Sequence, residues 1–177
     1  MTRKNSYRLA LLTLIGILVY SCQKDDPAEP PMVKTVFGWE TATNNGTNIT
    51  ETIDGITVTF TGTNDSTTDL LINSPNGFCG SSNNVAWEVA LTTSVTFSFS
   101  KAVHVISVLA LNGNGGENTY TLTPTGGSNS PVTITIVKDK CAPVVNLNWT
   151  DVTSFTVSTP NNNQFGFDDL VIESTAP

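Results

Sequence analysis

The chain has 177 residues, of which 13% are charged, and its formal net charge is −7. A length of this order predicts one globular domain with a buried core. Because an acidic surface repels phosphate backbones, the composition argues against binding of nucleic acid.

The first 21 residues have the layout of a secretory signal peptide. Three basic residues accompany an apolar run of 12 residues, Leu9–Tyr20, and this run is shorter than the roughly 20 residues that cross a bilayer. Small Ser21 stands directly before Cys22, where a bacterial lipoprotein is cleaved and diacylated. We therefore expect residues 1–21 to be removed and Cys22 to carry the lipid.

Residues 22–31 are rich in proline and charge and predict an extended tether. The acidic residues Asp25, Asp26 and Glu29 resemble the export signal of surface lipoproteins of the Bacteroidota. That resemblance implies a lipid-anchored protein on the outward face of the cell outer membrane. Beyond residue 21 the chain has 15 acidic and five basic residues, a net charge of −10. The lipid, and not surface charge, would therefore provide the membrane contact.

Residues 32–177 alternate between apolar and polar side chains, which is the pattern of half-buried β-strands. About nine such strands, separated by turn-forming clusters, predict an all-β fold, an antiparallel two-sheet jelly-roll sandwich. Val103–Leu111 is apolar on both faces and is expected to run centrally beneath a cover. The clearest alternating runs are 56–61, 95–100, 132–136 and 145–149.

Two cysteines, Cys79 and Cys141, remain once Cys22 is lipidated. In the oxidising cell envelope they can form a disulfide, which would close a loop of about 60 residues and stabilise the fold by about 4 kcal/mol. Two separate thiols are the alternative, because sequence does not give the distance between the two residues. Two cysteines and one histidine are too few for a zinc site.

Two adjacent carboxylates, Asp168 and Asp169, interrupt the last apolar strand. Burying them is unfavourable unless donors or a cation satisfy them, and Ca²⁺ takes oxygen ligands of this kind. The first and last strands of a jelly roll are commonly neighbours, so Glu40 is a third candidate ligand. Phe167 and Leu170 are three residues apart, which predicts a β-bulge instead of, or together with, a calcium site.

The segment Phe37–Glu40 and the C-terminal run Phe165–Ile172 resemble the end strands of jelly-roll sandwiches such as carbohydrate-binding modules and MAM-type domains. In those families a Glu after the first strand and an Asp of the last strand help to hold a structural cation. The resemblance therefore implies calcium ligands at Glu40, Asp168 and Asp169.

Stacking on a sugar needs exposed aromatic rings. The alternation places the three tryptophans, Trp39, Trp87 and Trp149, on core faces. Phe78 and Tyr120 lie beside turn clusters and are the expected ligand-binding aromatics. The expected binding edge consists of three polar loops, 73–84, 112–118 and 160–164.

The sequence contains no evident catalytic set. His104 lies in an apolar strand without a nucleophile-elbow motif, and Glu88 is expected to face solvent. The prediction is a non-enzymatic, lipid-anchored binding module for a glycan or another extracellular ligand. A structural or protein-interaction lipoprotein, such as an accessory subunit or adhesin, is the alternative, and a hydrolase that uses unrecognised carboxylates is a third possibility.

Overall fold

The structure, a computed structural model, describes residues 30–62, 70–73, 84–137 and 141–175. The chain divides into two units, Met1–Pro30 and Pro31–Pro177, and the described ranges fall almost entirely in the second. The predicted signal peptide, the lipidation site Cys22 and nearly all of the tether lie outside these ranges, so they stay predictions.

Nine antiparallel β-strands make up the described domain, and the predicted all-β fold is confirmed. Within the described ranges there is no helix of the length and apolarity that crossing a membrane requires. The strands are β1 Met32–Phe37, β2 Thr43–Asn44, β3 Asn48–Ile53, β4 Ile56–Thr61, β5 Leu70–Asn73, β6 Val85–Asn112, β7 Glu117–Thr125, β8 Val132–Val137 and β9 Val144–Thr175.

Two long strands, β6 and β9, bend and contribute to both layers of a sandwich. In the first layer, residues 94–98 of β6 pair with residues 154–158 of β9, in the strand order β2-β3-β4-β6-β9-β7-β8. In the second layer, residues 104–112 of β6 pair with residues 165–173 of β9. β1 pairs with residues 170–175 of β9, so the first and last strands are neighbours, as predicted.

The centre of the second layer is the last part of β6. β9 flanks it on both sides, with residues 165–173 on one side and residues 144–152 on the other. Leu109 and Leu111 of this strand are only 4% and 1% exposed although they lie outside the main core. The predicted central and covered position of Val103–Leu111 is confirmed.

Aromatic rings from both layers form the main core. Phe97 of the first layer stacks on Phe155 with ring centroids 4.5 Å apart and meets Phe167 of the second layer edge-on at 5.0 Å. Such aromatic pairs contribute about 1 kcal/mol beyond the burial of their area. Trp39 and Trp149 are buried in this core, as the alternation predicts.

The predicted bulge lies at Asp169. Ser107 is opposite Val171 and Leu109 is opposite Asp168, so β9 has one residue more than β6 between these pairs. Asp169 takes φ of +43°, a left-handed conformation that Asp tolerates better than most residues. The bulge lets Phe167 and Leu170 both face the core, since it reverses the alternation between them.

The outer face of the first layer is covered by hydroxyl side chains. One row across five strands contains no charged residue and no large apolar residue. Thr50 of this row bonds across to Thr43 of β2, with the two hydroxyl oxygens 2.9 Å apart, as expected for Thr pairs on a sheet. The row is Thr50, Thr59, Ser98, Ser154 and Thr125.

Candidate ligand-binding site

Trp87 lies on the outer face of the second layer, above two glycines. A Cβ added at Gly166 would overlap ring atoms Cε3 and Cζ3, and one added at Gly113 would overlap Cζ2 and lie 2.7 Å from Cη2. The six-membered part of the indole therefore spans both glycines and lies against their backbones. Glycine inside a strand often marks such a close approach.

Trp87 is half-buried, and one side of its ring rests on the sheet. Trp87 packs against a small cluster in which Val85, Leu109 and Leu111 are buried, and Ala142 packs against the same cluster. This cluster lies outside the main core, so the second layer is apolar on both faces at this point.

Amide groups lie beside the ring. The side chain of Gln164 donates from Nε2 to the carbonyl of Val89 at 2.6 Å. The backbone carbonyl of Gln164 accepts from the backbone N–H of Gly113 at 3.2 Å. Asn114, in the loop after β6, is half-buried. We define the Trp87 face as Trp87, Gly113, Gln164 and Gly166.

A buried amide network lies behind the Trp87 face and joins two of the predicted binding loops. Asn118 donates from Nδ2 to the side-chain oxygens of Asn112 and Asn163, each at 3.3 Å. Asn163 in turn donates to the hydroxyl of Tyr120. The segments 112–118 and 160–164 therefore meet at one edge, as predicted, whereas most of loop 73–84 lies outside the described residues.

The prediction that Tyr120 is an exposed ligand-binding ring is wrong. Tyr120 is completely buried, and its hydroxyl donates to the carbonyl of Leu111 at 3.0 Å. Burial raises the pKa of the phenol well above its usual range, and the hydrogen bond from Asn163 offsets only part of this effect. Tyr120 is buried because, in the alternation of β7, it lies on the core face together with Leu122. Phe78, the other predicted ring, lies outside the described residues.

The predicted sides of Trp87 and Glu88 are reversed. Glu88 is completely buried rather than solvent-facing, its Oε1 accepts from the N–H of Ala90 at 3.0 Å, and Gly62 packs against the carboxylate. Apolar residues pack against both faces of this strand. The hydrophobic pattern of the sequence therefore did not identify the outer face, and it placed Trp87 on the core face. The glycines at 113 and 166, inside or directly after apolar runs, are the sequence signal that points to the correct side.

The predicted calcium ligands are only partly brought together. Asp168 is buried, and both it and Asp169 have a carboxylate oxygen 3.9 Å from the Cβ position of Gly38. Glu40 is instead engaged by Asn84, whose N–H donates to it at 2.9 Å. No group of three acidic, histidine or cysteine residues within the described ranges is placed to hold a metal ion. Calcium stays a prediction that needs oxygen ligands from elsewhere in the chain.

A different carboxylate organises the turn after β1. Glu51 is buried and accepts from the N–H groups of Trp39 and Thr41, each at 2.9 Å, and from the Thr41 hydroxyl at 2.9 Å. These bonds hold Trp39 in its left-handed conformation, φ +62°. The turn that follows β1 is therefore fixed by a neighbouring strand.

Cys141 is disulfide-bonded. The other two cysteines of the chain, Cys22 and Cys79, lie outside the described residues. The predicted pairing with Cys79 therefore stays a prediction. Cys141 directly precedes Ala142, which packs beside the Trp87 face.

Comparison by sequence finds no protein family and no curated protein that matches this chain. The solved structures that match this chain include two complexes with oligosaccharides. The carbohydrate-binding module TmCBM61, in complex with β-1,4-galactotriose, is 14% identical over 78% of this chain and 94% of its own, with a TM-score of 0.42. The CBM22-1–GH10 modules of endo-1,4-β-D-xylanase 10B from Clostridium thermocellum, complexed with xylohexaose, are 11% identical over 82% of this chain, with a TM-score of 0.46. This chain spans 29% of the xylanase structure.

Proposed function

We propose that the domain is a non-catalytic module that binds a glycan on the Trp87 face. The observation that carries this proposal is the indole of Trp87 lying against Gly113 and Gly166 on the outer face of a rigid sheet. The electron-rich face of an aromatic ring attracts the C–H groups of a pyranose. A platform of this kind, with amide groups at its side, combines the apolar surface and the few polar groups of a typical ligand site.

Polar partners for sugar hydroxyls are available next to the platform. Gln164 lies beside Gly113, Asn114 follows Gly113 in the chain, and both are half-buried and carry donors and acceptors. The backbone that carries Gln164 is fixed by its bond from Gly113, so less ordering is required when a ligand binds.

The glutamate nearest in sequence to the platform does not face it, which supports a non-catalytic module. Glu88 is buried on the opposite side of the strand and is hydrogen-bonded to the Ala90 N–H. A carboxylate acting on a glycan at the Trp87 face would have to lie on the outer side of the sheet.

We further propose that the module is anchored through a lipid on Cys22 and displayed at the outer membrane surface. Support comes from the basic flank, the apolar run Leu9–Tyr20 and the acidic tether. A tether of this composition keeps the sandwich away from the membrane. Metabolic labelling with a palmitate analogue, compared between the natural chain and Cys22→Ser, tests the lipid directly.

The platform is tested with a glycan array and three variants. Trp87→Ala is expected to weaken glycan binding about tenfold or more, because it removes the apolar contact area of the indole, and a tenfold change corresponds to about 1.4 kcal/mol. Gly166→Ala should weaken binding while keeping the tryptophan, since the new methyl group displaces the ring. Gly115→Ala is the matched control, because its Cβ would meet nothing within 4 Å.

Thermal unfolding of each variant separates lost binding from lost fold. Equal glycan affinity in Trp87→Ala and the natural chain would exclude the Trp87 face as the site. Binding that survives Gly166→Ala but not Trp87→Ala would show that the tryptophan acts without resting on the sheet.

A further inference from the structure

We propose that Tyr120 is the positioning residue of the Trp87 face, fixing from behind the two backbone segments on which the platform rests. The inference rests on the proposed function, and it gives the buried phenol a role in ligand binding although no ligand can reach it. Tyr120 is the group that holds the Trp87 face in a binding-competent form.

The hydroxyl of Tyr120 lies between the two segments. It donates to the carbonyl of Leu111 at 3.0 Å, and the carbonyl of Gln164 is 3.4 Å away. The same Gln164 carbonyl accepts from the N–H of Gly113. One oxygen atom thus connects the end of β6, which leads into Gly113, with the part of β9 that leads into Gly166.

The tyrosine ring fixes β9 as well. Its centroid is 5.0 Å from that of Phe165, which stands between Gln164 and Gly166 in the chain. The ring contact and the hydroxyl bonds therefore act on consecutive residues of the platform. Substitution with Phe separates the two contributions, because it removes only the hydroxyl.

Amide side chains extend the contacts to the loop that contains Gly113. Asn163 donates to the Tyr120 hydroxyl and accepts from Asn118. Asn112 donates to the carbonyl of Gly116 at 3.2 Å and accepts from the N–H of Asn114 at 3.1 Å. The loop between β6 and β7 is therefore hydrogen-bonded at both ends to the same network.

Burial makes the network rigid. Tyr120 and Asn163 are completely buried and Asn112 is 2% exposed. In a low-dielectric interior, hydrogen bonds strengthen and an unpaired polar group is unfavourable, so a satisfied network specifies a single arrangement of the groups it joins. Backbone segments that are held in this way lose less conformational entropy when a ligand binds.

The test compares Tyr120→Phe with Thr159→Val in the full chain, purified in a neutral detergent. Thr159 also carries a buried hydroxyl on the core side of β9, but its Oγ1 has no hydrogen-bond partner, so its removal is the matched control. Tyr120→Phe is expected to speed amide hydrogen exchange in residues 111–118 and 163–166 and to weaken glycan binding on the array about fivefold. Thr159→Val should change neither measurement.

The two measurements distinguish the possible failures. Unchanged exchange in Tyr120→Phe overturns the inference, and so does faster exchange with unchanged affinity, which would make the network purely structural. If the natural chain binds no glycan on the array, the proposed function fails, and the positioning role fails with it. Asn118→Ala, which removes a half-buried link of the same network, replaces Tyr120→Phe if that variant does not fold, with the same expected changes.

Discussion

Trp87 reaches its position because two residues below it have no side chain. At Gly166 and Gly113 any Cβ would meet the indole, and the ring would have to tilt away from the sheet. An indole that rests against the backbone is held in one orientation by the sheet, which is what the proposed stacking on a sugar ring requires. At the scale of single residues, the proposed site is therefore made as much by the glycines as by the tryptophan.

Tyr120 predicts a specific alkaline sensitivity. Burial raises the pKa of its phenol in the folded chain, so above about pH 10 the unfolded state loses a proton that the folded state retains. The contribution of Tyr120 to stability is complete below the unfolded pKa. It then falls by about 1.4 kcal/mol per pH unit as the pH rises further.

Urea unfolding between about pH 9 and about pH 11, compared between the natural chain and Tyr120→Phe, measures this contribution. The natural chain is expected to lose more stability over this interval than the variant. Parallel stability curves would show that the Tyr120 phenol titrates normally. Tyrosinate absorbance provides an independent measurement, since the other two tyrosines, Tyr7 and Tyr20, lie in the predicted signal peptide.

At the scale of elements, the bulge at Asp169 decides which side chains enter the core. Before the bulge Phe165 and Phe167 face inward, and after it Leu170 and Ile172 do. A strand without the extra residue would turn one of these pairs outward, because a shift of one residue reverses every side chain.

Deletion of Asp169 is therefore expected to destabilise the domain by at least about 4 kcal/mol, as two large apolar side chains leave the core. Asp169→Gly keeps the length of the strand and suits the positive φ, so its effect should stay within about 1 kcal/mol. Urea unfolding followed by tryptophan fluorescence measures both variants. A deletion variant as stable as Asp169→Gly would mean that β9 accommodates either register.

At the scale of the whole molecule, the disulfide of Cys141 stabilises the sandwich next to the Trp87 face. Cys141→Ser is expected to lower the free energy of unfolding by about 2–5 kcal/mol, because the unfolded chain is no longer cross-linked. Peptide mapping without reduction is expected to join Cys141 to Cys79. A link from Cys141 to Cys22 would contradict both this pairing and the lipidation of Cys22.

The charge of the molecule fits display on a surface. Beyond residue 21 the net charge is −10, which favours solubility and repels neighbouring copies, while the proposed lipid would supply the attachment. The outer face of the first layer, with its uncharged row of Thr and Ser, carries no aromatic platform in that row. The outer face of the second layer is thus the side on which we place the ligand.

The sequence by itself determined the all-β class, the central position of Val103–Leu111, the adjacency of the first and last strands and the bulge between Phe167 and Leu170. The class, the central run and the bulge follow from alternation along each strand, and the adjacency follows from the jelly-roll fold that the alternation predicts. Only the tertiary structure decided which face of a strand is outside when both are apolar, and it reversed the sides expected for Trp87 and Glu88. It also buried Tyr120 and placed Glu40 against the backbone N–H of Asn84. Those outcomes depend on what packs above each face and on distances between remote strands, and alternation along one strand contains neither.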